Sequence, residues 1–218
     1  MSTIVDEQRR YWDDFYKGDR SANVPRDPSA FATWVADQLR PGQSIVECGF
    51  GNARDSFWFA HHGHAVRGFD FATSAVQAAQ GVAAAEPSMD AGFQVLDLSD
   101  HAAVDAVADD LRTSLPGHTA VYGRFLIHSL EDDGRHNLIG LARSLSGELY
   151  VEFRTGKDAG QKHLFGDDHY RTYLDPQTVV AEIEERGGTV MVLEQGHGMA
   201  VYKSEDPHVA RIVASWGE

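Results

Sequence analysis

The chain has 218 residues, 42% of them hydrophobic, enough to bury one sizeable core. Its 33 acidic residues against 19 basic ones leave a formal charge of −14, which opposes nucleic-acid binding because that affinity comes from Lys and Arg neutralising phosphate. A single cysteine, Cys48, excludes an internal disulfide, and no run of about eighteen apolar residues offers a membrane span.

The opening MSTIVDEQRRYWDDFY is polar and acidic, without the apolar centre of a signal sequence, so a cytoplasmic location is expected. Residues 6–17 read as a helix on which Tyr11, Trp12, Phe15 and Tyr16 gather at helical spacing. Asp27-Pro28 then predicts an N-cap and first-turn proline for a helix with Phe31, Trp34, Val35 and Leu39 on one face, ending at Pro41-Gly42. From there short apolar runs alternate with helical patterns: strand 44–48, helix 52–62, strand 65–70, a helix opened by Thr73 or Ser74, strand 93–97, a helix carrying Val104 to Leu111, strand 119–127, a helix carrying Leu138 to Leu145, and strand 148–153. The stretch from Thr155 to Tyr170 has no period and many Gly and Asp residues, so it reads as a long loop or lid. Asp175-Pro176 caps a last helix that closes at Gly187-Gly188, and two strand-like runs, 189–193 and 208–216, follow with no helix between them.

Strand alternating with helix implies a mostly parallel sheet with helices on both faces, because parallel strands need crossover connections. The last two runs add an antiparallel ending, so the expectation is an α/β, Rossmann-like, seven-stranded sheet in a single domain, 1–218. Ligands of such sheets bind beyond the carboxyl ends of the strands. Three of those ends are acidic: Glu47, Asp70 and Asp97. Between the first strand and its helix stands Gly49-Phe50-Gly51-Asn52-Ala53-Arg54-Asp55, a glycine turn. A dinucleotide site shares the turn and an acid about twenty residues on, which is Asp70. It differs in the third glycine, here Arg54, and in Glu47, whose carboxylate would stand beside a pyrophosphate. A cationic ligand with hydrogen-bond donors fits better.

The run Glu47-Cys48-Gly49-Phe50-Gly51, with Gly63 to Asp70 and Asp97-Leu98, resembles the class I S-adenosylmethionine-dependent methyltransferases. The aromatic segment Tyr11 to Tyr16 is similar to the opening of their thiopurine-methyltransferase-like members. The resemblance implies S-adenosyl-L-methionine as cofactor. Gly49 and Gly51 would lie by its methionyl part, Asp70 would hold the ribose diol, and Asp97 with Leu98 would meet the adenine, with Glu47, Asn52, Asp55 and Phe71 completing the cofactor site. Residues 1–40, with Tyr11, Trp12 and Tyr16, would form a helical cap over it. Arg124, an arginine in an apolar run that needs a partner, is placed where it can meet both cofactor and acceptor. His128, Arg154, His169 and Tyr170 complete the expected acceptor side, with His128 as a general base.

The expected activity is methyl transfer to an oxygen or nitrogen of a small molecule. The alternatives are a non-catalytic protein that binds the same cofactor and a nicotinamide-dependent oxidoreductase. His61, His62 and His64 surround Gly63 at a helix end, where they suit the dipole, and no metal site is expected.

Overall fold

The computed structural model describes residues 4–17, 25–115, 117–159 and 172–217. Seven strands, β1 (Ser44–Cys48), β2 (Val66–Asp70), β3 (Ala91–Val95), β4 (Thr119–Arg124), β5 (Glu148–Arg154), β6 (Thr189–Gly196) and β7 (Val209–Ser215), form one sheet in the order β3-β2-β1-β4-β5-β7-β6. The first five run parallel, and β7 enters antiparallel between β5 and β6. The chain order reverses direction between β1 and β4, which is the place where open α/β sheets hold ligands.

Both faces are covered because successive strand residues point to opposite sides. Val46, Cys48, Val121, Val151 and Ile212 face one layer, formed by α5 (His101–Ser114), α6 (Asp132–Ser144) and α7 (Pro176–Glu185). Their neighbours Ile45, Tyr122, Tyr150 and Val213 face the other, with α2 (Ala30–Ala36) and α3 (Arg54–His61). A third cluster joins α4 (Thr73–Ala85) to Phe50 and Phe93. The first helix, α1 (Ile4–Lys17), docks on α4: Asp13 Oδ1 accepts from both the amide and the hydroxyl of Ser74, each at 2.9 Å.

Three expected boundaries move. Asp27 is not the cap of α2; Ser29 is, its hydroxyl accepting from the Ala32 amide at 3.0 Å. Ser29 wins because Asp55 binds it twice, through its amide and its hydroxyl, both at 2.7 Å. The third strand ends at Val95, so Asp97 lies in the following turn, and its Oδ1 accepts from the Ser99 amide and hydroxyl at 2.9 and 2.6 Å. The fourth strand stops at Arg124, because Phe125 turns into the left-handed region at φ 53° and the chain continues as a short 3-10 turn over Ile127–Ser129. The Asp175-Pro176 start of α7 is as expected, with Asp175 accepting from the Gln177 amide. No helix among the described residues is long and apolar enough to cross a membrane.

Candidate functional site

A cavity of about 460 Å³ opens at the carboxyl edge of the sheet, a volume within the range of small-ligand sites. The glycine turn forms its floor. Gly49 and Gly51 have φ of 68° and 59°, and a Cβ on Gly51 would stand 2.3 Å from the Tyr16 hydroxyl, so only glycine fits beneath that ring. Asp70, at the end of β2, holds the turn from the side: one oxygen accepts from the Gly51 amide and the other from the Ala72 amide, both at 2.9 Å. This uses the very N–H that a bound pyrophosphate would need.

Burial dominates the electrostatics. It pushes the Asp70 carboxyl up to about 6, against the opposing effect of the Ala72, Gly51 and Phe71 amides. Glu47, inside β1 rather than at its tip, is raised well above its ordinary value by burial and then by the charge of Asp55, while the Ser56 hydroxyl donates to it. The Tyr16 phenol is raised as well, by burial and by the charge of Asp70.

Trp12 and Tyr16 line the cavity with Gln8 and Phe15. Tyr11 does not. It lies on the flank of that helix face, its ring edge-on to Trp12 at 5.2 Å. Arg9 reaches over to Asp97, with Nη2 2.5 Å from Oδ2. Asn52 lines the wall and donates to the Pro25 carbonyl at 2.8 Å. Both oxygens of Asp55 are engaged, by Ser29 and, at 2.7 Å, by the Tyr122 hydroxyl. Phe71 and Leu98 complete this half.

The other half is built by β4, β5 and the turn after β6. Arg124 donates through Nε to Glu152 at 3.0 Å, and Glu152, fully buried, accepts from Arg211 Nε at 2.8 Å through its other oxygen. The Phe125 ring lies 4.1 Å from the Arg124 guanidinium and 5.4 Å from that of Arg154. Arg154 is held by Asp158 at 2.8 Å and Glu205 at 2.9 Å. His128, 3% exposed, accepts the Arg154 backbone N–H at its Nδ1, 3.3 Å away. The neutral ring therefore keeps its proton on Nε2.

Arg124, His128 and Arg154 thus share the cavity with the acids; His169 and Tyr170 lie outside the described residues. Sequence reasoning missed Phe125, Tyr202 and Glu205 on the cavity wall. A left-handed phenylalanine leaves no mark in a sequence. The last two sit in the connection after β6, joined by a bridge between Tyr202 and Glu205, where the only signal was a tyrosine just past a strand. Among the described residues no three His, Cys, Asp or Glu side chains gather as a metal site requires.

No protein-family model matches the chain, and no curated protein matches it. Several solved structures do. A protein concerned with the conversion of a disulfide bond into a thioacetal group during echinomycin biosynthesis superposes with a TM-score of 0.72 at 16% identity, over 96% of this chain and 93% of that one. A SAM-dependent methyltransferase from Anabaena variabilis gives 0.71 at 16% identity, over 98% and 95%. The glycopeptide N-methyltransferase MtfA, complexed with S-adenosyl-L-methionine, gives 0.63 at 16% identity, over 87% and 94%. The chain has the fold of S-adenosylmethionine-dependent methyltransferases.

Proposed function

We propose that this protein is an S-adenosylmethionine-dependent methyltransferase acting on an oxygen or nitrogen of a small molecule. The observation that carries the reading is that Glu47, Asp70 and Asp97 and the glycine turn bound one cavity, in register with three successive strands. The solved methyltransferases of the same fold support it.

The residues fit this cofactor in kind. Asp70 offers a carboxylate to ribose hydroxyls, Asp97 an acceptor to the adenine amine, and Glu47 a negative charge near an ammonium. Against a dinucleotide stand the buried acids and the capture of the Gly51 amide by Asp70. The cofactor would supply an electrophilic methyl group. The chain's own part is to exclude water, with Trp12, Phe15 and Tyr16 as a cover, and to hold the acceptor nucleophile in line. The aromatic segment serves here as in the thiopurine-methyltransferase-like proteins it resembles. Asp55 acts through others, fixing Ser29 and Tyr122.

For His128 we infer a donor's part, as a rival to the general base that the sequence suggests. With Nδ1 accepting from Arg154 and the proton on Nε2, the ring is a donor that orients the acceptor. Calorimetry tests the whole reading: S-adenosylmethionine and S-adenosylhomocysteine should bind at micromolar affinity, roughly −7 to −9 kcal/mol, and NAD should not bind. The reverse preference would replace methyl transfer by hydride transfer. Binding of S-adenosylmethionine without labelled methyl reaching any acceptor in a broad screen would favour a non-catalytic binder.

A further inference from the structure

The charge along the carboxyl edge of the sheet changes sign between β1 and β4. Asp97, Asp70 and Glu47 follow one another from β3 to β1, and then Arg124 ends β4 and Arg154 ends β5. The two arginines are not equivalent. Arg154 is neutralised by Asp158 and Glu205. Arg124 commits only its Nε, to Glu152, and among the described residues neither of its terminal nitrogens has a protein acceptor. Glu152 is already shared with Arg211, so the buried triad of Arg124, Glu152 and Arg211 carries a net positive charge, and Arg124 is its member on the cavity wall.

A second cation lies close by. Arg54, in the first turn of α3, lines the same cavity with its side chain 13% exposed, donates to the Asp27 carbonyl at 3.2 Å and lies 3.7 Å through Nε from Asp55 Oδ1, a carboxylate already shared with Ser29 and Tyr122. Burial, and after it the charge of Arg124, lowers its pKa, so the two guanidiniums sit within Coulombic reach of each other. The nearby acids do not compensate Arg124: Asp27 and Glu131 are exposed at the rim, and Glu205 is on Arg154. Arg54 is compensated by Asp55, so the uncompensated charge facing the cavity is that of the Arg124 triad, and an anion docking on Arg124 removes its repulsion with Arg54.

We propose that Arg124, supported by Arg54, receives an oxyanion carried by the methyl acceptor, which makes the acceptor class small carboxylic acids. The inference rests on the methyl-transfer reading. A methionyl carboxylate has the same chemistry, but the placement that the resemblance implies, adenine by β3, ribose by β2 and the methionyl part by β1, leaves the end of β4, next in the sheet, to the acceptor.

Benzoate and its neutral isostere benzamide are the probes, titrated into the full chain with and without saturating S-adenosylhomocysteine. Benzoate should bind and benzamide should not. Arg124→Gln should weaken benzoate at least about tenfold, and by a larger factor than it weakens S-adenosylhomocysteine. Arg124→Lys, which keeps the ion pair with Glu152, should still weaken benzoate several-fold because an ammonium offers no planar fork. Equal binding of the two probes overturns the proposal. So does an Arg124→Gln protein that loses S-adenosylhomocysteine affinity and keeps benzoate, since the anion would then be the cofactor's own. Arg124-dependent benzoate binding in a protein that takes no S-adenosylhomocysteine leaves the oxyanion site standing and removes the methyl-transfer reading instead.

Discussion

Asp70 is the residue where the proposed cofactor role and stability conflict most openly. Its carboxyl titrates near 6 in the folded chain, above the usual aspartate value, because burial disfavours the charge. A raised native pKa means that the folded state binds the proton more tightly than the unfolded one. The stability contributed is therefore present at low pH and lost as pH rises from about 4 through about 6. Asp70→Asn should accordingly stabilise the protein at pH 7.5 by about 1–3 kcal/mol, and the gain should shrink towards pH 4. The same variant should bind S-adenosylhomocysteine about 5- to 100-fold more weakly through lost charge-assisted bonds. Urea titrations at both pH values and calorimetry check the two signs; destabilisation at pH 7.5 would mean that the amide contacts of Asp70 outweigh its burial. His128 makes a second test. As a donor it should be replaced tolerably by Gln, within about tenfold in single-turnover rate, while Ala costs about a hundredfold. A Gln variant as slow as Ala, with one ionisation lost from the pH profile, would restore the general base.

Among the elements, α2 and α1 depend on single polar residues. Asp55→Ala removes the acceptor of the Ser29 amide, the Ser29 hydroxyl and the Tyr122 hydroxyl at once, all buried, and should cost about 2–4 kcal/mol by thermal or urea unfolding. The helix α1 hangs on Asp13 and Arg9. Asp13→Ala should raise amide exchange in α1 while leaving β1 and β4 protected, and should speed S-adenosylhomocysteine release. The alternation of strand and helix was legible because apolar period and Gly or Pro breaks carry it. The three acids were legible because β1, β2 and β3 are consecutive in space as well as in sequence. Other features rest on contacts between distant residues. Nothing local tells Ser29 from Asp27 as the cap of α2, since the decision lies with Asp55. Nor does anything local stop the fourth strand at Arg124, where the Phe125 amide turns to the Glu152 carbonyl at 2.7 Å.

At the scale of the molecule, a chain of charge −14 attracts a cation from a distance. S-adenosylmethionine carries one more positive charge than S-adenosylhomocysteine, so its association rate should fall more steeply with salt; stopped-flow traces at two ionic strengths show this, and parallel slopes would deny long-range steering. The acid buried in β1 has a subtler consequence. Burial and the neighbouring charge of Asp55 raise the Glu47 pKa, and a ligand ammonium beside it, as the proposed function has it, would lower that pKa again. Where Glu47 carries its proton in the free protein, cofactor uptake would expel that proton into the solvent. The apparent heat of binding should differ between Tris and phosphate in proportion to their ionisation enthalpies, and Glu47→Gln should bring the two heats together.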